Sequence, residues 1–230
     1  MLEWASVIVS ETRLRQLMDV FLEENGKLNL SALRTPELCW TGNILDSIAF
    51  LQSFEEYPDL KKVKKLLDIG TGGGFPLTPL ALCLPDTQCI GMDATQKKVD
   101  AVRRVIAAVD IPNASLVCGR TESLAHSAEY RAQYDVVTAR AVAPLSVLLE
   151  YAVPFLKVGG LCAFWKSTKI ASELADTADA QKKLSAPYLG EFQYELPDQW
   201  GERTIVFFKK TAATSSDYPR RTGIPKQDPL

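Results

Sequence analysis

The stretch DIGTGGGFP, residues 68–76, sets four glycines in nine positions directly behind an apolar run. VKKLLDIG before and into it reads as a short strand that ends in the glycine loop. PLTPLALCL after it reads as a helix packed on that strand. Open α/β sheets bind ligands at the carboxyl ends of their strands, and this loop occupies such an end. The spacing excludes two familiar ligands. A dinucleotide fingerprint asks for glycine at its sixth place, where Phe75 stands, and no Lys-Ser/Thr follows as a P-loop requires. What remains is Asp68-x-Gly70-x-Gly72-x-Gly74. Bare backbone lets a nucleoside and its tail approach closely. A carboxylate at the start of the turn suits an ammonium group and repels a pyrophosphate.

The chain on either side sorts into two kinds of sequence. Ahead of the loop lie about sixty residues of helical pattern with no strand signal. ETRLRQLMDVFLEEN (11–25) spaces Leu14, Leu17, Met18, Phe21 and Leu22 for one face, with Gly26 expected to terminate the helix. A second helix is expected over 36–54, with Thr35 as N-cap, Pro36 at its first position and an interruption at Gly42-Asn43. Its expected apolar face is Leu38, Ile44, Leu45, Ile48 and Leu51. Tyr57-Pro58-Asp59 reads as a turn. Behind the loop, strands and helices alternate. TQCIGMD, ASLVCG, YDVVTAR and LCAFWK are strands, and the helices are 95–109, a short one near 122–130, SVLLEYAVPFL and IASELADTADAQKKL. EFQYEL and RTIVFFKK close the series with no room for a helix between them, so they pair antiparallel. The predicted fold is α/β, and its arrangement resembles the class I S-adenosylmethionine-dependent methyltransferase (Rossmann-like) fold. Its central, mostly parallel sheet ends in an antiparallel hairpin. The expected division is a helical extension at 1–60, a methyltransferase domain at 61–211 and a Pro-rich basic arm at 212–230, either loose or ordered by contact with the body or a partner.

The strand ends carry the chemistry. The second strand ends in Asp93, placed to accept hydrogen bonds from both ribose hydroxyls. Its purely structural alternative is a cap before TQKKV. The third ends before Thr121-Glu122, on the same edge and near an adenine. With Asp68, Gly70, Gly72, Gly74 and Phe75, these residues point to S-adenosylmethionine as cofactor. The fourth strand ends in Arg140 and the fifth in Lys166, both cationic at the active edge and the candidate catalytic residues. A structural ion pair of Arg140 with Glu122 or Asp68 is the alternative. There is no Asn-Pro-Pro-Tyr-type motif for exocyclic amines, and Cys39 and Cys118 are poorly placed for carbon-5 chemistry. Guanine N7 fits these absences, because its lone pair needs no general base, only in-line placement against the methyl group. Cationic donors such as Arg140 and Lys166 suit the O6 edge of that base. On these grounds Arg140→Ala is expected to lower turnover with the fold intact.

Composition narrows the setting. The net charge of −2 argues against a non-specific nucleic-acid binder but leaves room for a specific one that uses local basic clusters. Five scattered cysteines and one histidine make a zinc site improbable, and no metal is expected. The cysteines read as small buried apolar residues. MLEWASVIVSE lacks a basic n-region, and no apolar run reaches the length of a membrane span. A cytoplasmic protein without membrane contact, monomeric by simplest expectation, follows.

Five segments resemble one family: NLSALRTPE and ILDSI in the helical front, LLDIGTGGGFPLTPLAL, DVVTARAVAPL and FWKSTKIASEL. The closing YPRRTGIPKQDPL is similar to the same family's terminal arm. The chain resembles the bacterial 16S ribosomal RNA guanine-N7 methyltransferases, once called glucose-inhibited division protein B. The resemblance implies methyl transfer from S-adenosylmethionine to N7 of a guanosine in the 530 loop of 16S rRNA, within the small subunit or its precursor. It implies cofactor contacts from Gly70 and Phe75, ribose binding by Asp93, and adenine flanked by Thr121 and Glu122. Arg140 falls at the junction of cofactor and substrate, and Lys166 near the RNA. Four positions depart from the family pattern. Asn43 replaces a histidine, Ser167 and Leu77 replace glycines, and Lys97-Lys98 stands for Lys-Arg. Lysine keeps the charge without arginine's planar fork. The departures bear on RNA contacts more than on the cofactor. A methyltransferase of another RNA or a small molecule, and an RNA-binding module without turnover, are the alternatives.

Overall fold

The structure, a computed structural model, describes residues 10–167 and 170–230. The first nine residues of the expected helical front, and Thr168-Lys169 of the FWKSTKIASEL segment, lie outside the described residues.

Helix α1 (Glu11–Leu28) buries Leu14, Leu17, Met18 and Phe21, with Leu22 half-buried. It runs through Gly26 and closes at Asn29, whose φ of 51° is left-handed. Asparagine tolerates that conformation, and the Asn25 side chain knits the exit by bonding both the N–H and the C=O of Ser31. The expected stop at Gly26 is therefore corrected to Asn29. The second helical run has α2 (Pro36–Cys39), a π-helical stretch at Trp40–Leu45, α3 (Asp46–Ile48) and a 3₁₀ stretch at Ala49–Phe54. Thr35 Oγ1 accepts the Leu38 N–H at 3.4 Å, as a cap should. The interruption at Gly42-Asn43 takes the form of the π turn. A wider turn shifts the phase of the residues ahead of it. Ile44, Leu45, Ile48 and Leu51 are buried, whereas Leu38 is 41% exposed and leaves the expected face. Tyr57-Pro58-Asp59 enters a 3₁₀ stretch, Pro58–Lys62.

The alternating part follows as β1 (Lys65–Ile69), α4 (Leu77–Cys83), β2 (Gln88–Asp93), α5 (Gln96–Val109), β3 (Ala114–Cys118), α6 (Thr121–Leu124), β4 (Tyr134–Arg140), α7 (Leu145–Ala152), β5 (Leu156–Lys166), α8 (Ala171–Ala175), α9 (Ala178–Leu184), β6 (Tyr188–Leu196) and β7 (Gly201–Lys209), with α10 (Ile224–Gln227) in the terminal arm. The helix expected over 170–184 is two. Thr177 Oγ1 bonds back to the Leu174 carbonyl at 2.6 Å and ends the first.

One seven-stranded sheet has the order β3-β2-β1-β4-β5-β7-β6. All pairs are parallel except those of β7, which runs antiparallel to both β5 and β6. One face is covered by α1, the 36–54 run, α4 and α5, which share a core through Phe21, Phe50, Leu80 and Val102. The other is covered by α7 and α9 through Leu145, Leu149 and Leu184. Cys39, Cys83, Cys89 and Cys162 are buried and Cys118 half-buried, all as free thiols. No described helix is long and apolar enough to cross a membrane. This architecture brings the carboxyl ends of β1, β2, β4 and β5 to one edge, and there the helical front leans over the sheet.

Candidate active site

Asp68 ends the apolar run of β1 and is wholly buried. Its Oδ1 accepts the Thr138 hydroxyl at 2.8 Å from neighbouring β4, while Oδ2 has no hydrogen-bond partner among the described residues. Thr71 Oγ1, three residues on, is also buried, has no other partner among the described residues and lies close enough to the carboxyl to favour its ionised form. Burial lifts the Asp68 carboxyl to about 6, and the hydroxyls and Arg140 nearby oppose that rise. Gly70, Gly72 and Gly74 have φ of 66°, 55° and 90°. A side chain at Gly70 would be strained and would also press within 2.8 Å of Val142. Phe75 turns its ring into the core, edge-on to Phe21 with centroids 4.7 Å apart.

Asp93 ends β2 and ties the loop to it. Oδ2 accepts the Gly72 N–H at 3.0 Å, and Oδ1 accepts the Thr95 N–H at 2.8 Å just before α5. The cap weighed for Asp93 is not formed, because Thr95 takes the N-cap position of α5 without a side-chain cap bond; Asp93 instead makes a turn ahead of the helix and holds the glycine loop. Asp93→Ala is expected to weaken cofactor binding by about 1.5–3 kcal/mol, the scale of a lost charged acceptor. Calorimetric titration with S-adenosylhomocysteine checks this, and an unchanged dissociation constant would remove Asp93 from the site.

Glu122, on the first turn of α6, is buried and accepts the N–H of Gly223 at 3.0 Å. Thr121 beside it is half-buried. Gly223 belongs to the terminal arm, a neighbour that nothing local in the sequence announces.

Arg140 ends β4 and meets the helical front. Its Nη1 donates to the Gly42 carbonyl at 2.9 Å and to Asp46 Oδ2 at 2.7 Å, and Nη2 donates to Asn43 Oδ1 at 2.8 Å. The guanidinium carbon lies 5.8 Å from the Phe75 ring centroid. The ion-pair partner is therefore Asp46, in place of the Glu122 or Asp68 expected from sequence. Bare backbone at Gly42 is required here, since a Cβ would come within 2.5 Å of the Trp200 ring. Asp46 is in turn fixed from the edge strand β6 and from β5. Its Oδ1 accepts the Tyr194 hydroxyl at 2.6 Å, and its carbonyl accepts Trp165 Nε1 at 2.9 Å. Burial, with the Asp46 charge next, pushes the Tyr194 hydroxyl well above its ordinary range and keeps it a donor. Asp46, Tyr194 and Trp165 were missed as site residues. The only signal for them was the acidic residue inside the ILDSI segment.

Lys166 ends β5, where Trp165 is in register with Arg140. Its Nζ donates to Glu173 Oε1 at 2.6 Å and to the Ala143 carbonyl at 2.9 Å. The same Glu173 oxygen accepts the Leu145 N–H, so Lys166 braces the start of α7 against α8. Asp68, Asp93, Glu122, Arg140 and Lys166 thus stand at one edge, each with at least one protein partner, while Asp68 Oδ2 and Glu122 Oε2 have none among the described residues. No group of three or more His, Cys, Asp or Glu placed to hold a metal occurs among the described residues.

The strand order, the closing antiparallel hairpin and the glycine loop at the end of β1 define a class I methyltransferase fold. Solved structures agree. An O-methyltransferase from Bacillus cereus in complex with SAH superposes with a TM-score of 0.56 at 14% identity, covering 84% of this chain and 90% of that one. Residues 10–190 match the GidB family, described as rRNA small subunit methyltransferase G. The ribosomal RNA small subunit methyltransferase G of Alkaliphilus oremlandii is 35% identical over 98% of this chain and 94% of its own length. That of Deinococcus radiodurans is 36% identical over 96% of this chain and 85% of its own. The chain belongs to this family of methyltransferases.

Proposed function

We propose that the enzyme transfers the methyl group of S-adenosylmethionine to N7 of a guanosine in the 530 loop of 16S rRNA. The observation that carries the cofactor assignment is the buried Asp68 carboxylate at the mouth of a loop built from left-handed glycines, its Oδ2 without a hydrogen-bond partner among the described residues and with the Thr71 hydroxyl close by. An orphaned buried carboxylate oxygen is costly unless something completes it, and an ammonium group does so. Asp93 accepts from the ribose, Thr121 and Glu122 flank the adenine, and Gly70 and the Phe75 backbone line the tail. When bound, the cofactor supplies an electrophilic methyl group on a sulfonium.

The chain's own task at the acceptor is positional. Guanine N7 carries its lone pair in the neutral base, so no residue has to remove a proton. The base has only to be held in line and near contact. Arg140 does this at the junction of the two substrates, and its pairing with Asp46 removes the charge repulsion that a bare guanidinium would exert on a sulfonium. Lys166 steers RNA at the adjoining strand end. The enzyme works as a monomer in the cytoplasm on the small subunit or its precursor. In the proposed division the extension is 1–60, with helices in its described residues from 10 onward, followed by the methyltransferase domain at 61–211 and the arm at 212–230.

The test is transfer of labelled methyl to small subunits and to naked RNA from cells lacking the modification, with tRNA offered alongside. Mass spectrometry of the digested product is expected to place N7-methylguanosine in the 530-loop fragment. Label confined to tRNA, or no incorporation with cofactor binding intact, would overturn the assignment.

A further inference from the structure

The terminal arm is fastened to the body at four places. Arg131 spends its guanidinium on arm carbonyls, with Nη1 donating to Tyr218 at 2.9 Å and Nη2 to Thr214 and Ser215 at 3.0 and 2.8 Å. His126 Nε2 lies 2.8 Å from the Pro219 carbonyl. Arg220 closes on Glu150 of α7, a carboxylate with 0% exposure. The Arg220 backbone N–H reaches Oε1 at 2.7 Å, Nε reaches Oε1 at 3.0 Å, and Nη2 reaches Oε2 at 2.7 Å. Three residues later the Gly223 N–H lands on Glu122 Oε1. Bidentate contact to a fully buried carboxylate is a strong anchor, and Arg220 also reaches forward to the Asp228 carbonyl at 2.7 Å, folding the arm's last turn over α7.

The last fastening sits on the carboxylate assigned to the adenine. One oxygen of Glu122 is taken by the arm, and Oε2 has no hydrogen-bond partner among the described residues. We propose that the terminal arm is a wall of the cofactor site, with Arg220, Glu150 and Gly223 as positioning residues that hold Glu122 for the adenine. The inference rests on the placement of adenine beside Glu122 given above. Because the arm's bond to Oε1 fixes Glu122 with Oε2 left for the adenine, arm and cofactor each favour the other's bound state. The linkage is reciprocal: cofactor orders the arm, and a docked arm tightens the cofactor.

The experiment pairs hydrogen exchange with calorimetry on the full chain, using S-adenosylhomocysteine as the probe. In the wild type, amides of 218–228 are expected to gain protection when the probe binds. The variant Arg220→Ala/Glu150→Gln releases the anchor without leaving a buried bare charge. It is expected to bind the probe at least about tenfold more weakly and to lose the protection gained by 218–228. Its KM for S-adenosylmethionine should rise while kcat stays near wild type, a split that general destabilisation does not produce. A thermal melt of the variant selects the assay temperature, and Arg220→Lys, which keeps one bond to Glu150, should fall between. Probe affinity within twofold of wild type, or exchange in 218–228 indifferent to bound probe, would overturn the proposal while leaving the methyltransferase assignment standing. Absence of probe binding by the wild type would overturn both.

Discussion

Arg140→Ala is expected to reduce methyl transfer by about a hundredfold or more and, contrary to what the sequence alone suggests, to destabilise the fold by about 3 kcal/mol. The rate effect follows from position. Arg140 stands where β4 delivers it between the cofactor loop and the helical front, and a misplacement of about 1 Å at such a junction costs on the order of a hundredfold. The stability effect follows from Asp46. The pair is largely desolvated, with side chains 17% and 11% exposed. Without the guanidinium, Asp46 keeps only the Tyr194 hydroxyl on its carboxylate, and Asn43 Oδ1 and the Gly42 carbonyl lose their donors. Chemical denaturation measures the loss, and initial rates well below the melting temperature measure the activity. The double variant Arg140→Ala/Asp46→Asn separates the two roles. Stability should return in part, because no unpaired charge stays buried, while turnover should not. Recovery of turnover with stability would reduce Arg140 to a brace between the front and the sheet.

Asp68→Asn is expected to have opposite effects on the empty and the loaded enzyme. Burial raises the folded carboxyl from 3.8 to about 6, so the ionised form is penalised by roughly 3 kcal/mol in the fold. The sign follows from linkage. Below about pH 4 the group is protonated both folded and unfolded and the penalty vanishes. It grows as pH rises and is complete above about pH 6. Asparagine carries no such penalty and still accepts the Thr138 hydroxyl. The cofactor-free variant should therefore melt higher than wild type at pH 8 and show no such advantage near pH 4. Its affinity for S-adenosylhomocysteine should fall by about ten- to a hundredfold, the cost of replacing a charged acceptor by a neutral one. Melting curves across pH and titration at pH 8 test the two halves. Equal melting temperatures at pH 8 would mean that Asp68 is not held as an unpaired buried carboxylate. Undiminished affinity would take it out of the cofactor site.

These two residues illustrate how a site breaks local rules that the rest of the chain obeys. A bare carboxylate oxygen in a core, and a run of left-handed glycines after a strand, are unfavourable for folding and useful for binding. The same holds for the π turn at Trp40–Leu45, where the wider coil frees the Gly42 carbonyl for Arg140.

The fold was legible from local pattern. Strand and helix periodicity are written into neighbouring residues, and the short link between EFQYEL and RTIVFFKK sufficed to predict the antiparallel hairpin. The glycine spacing and the acidic strand ends marked the edge proposed for the active site, because strand direction alone brings those ends together. Small displacements arose where two local signals competed. Asn29 outdid Gly26 as the end of α1, and Thr177 broke a helix that composition favoured. What the sequence could not disclose is which partner each charged group takes. Asp46 and Arg140 are 94 residues apart, and Glu122 and Gly223 are 101 apart. Their pairing depends on how the helical front and the terminal arm dock on the sheet. That docking is set by shape and by burial summed over many apolar contacts, which no short stretch encodes. The sequence by itself determined the sheet, the loop and the chemical types at the edge. Only tertiary packing decided which of those groups are paired and which single oxygen of Asp68 stays unpaired.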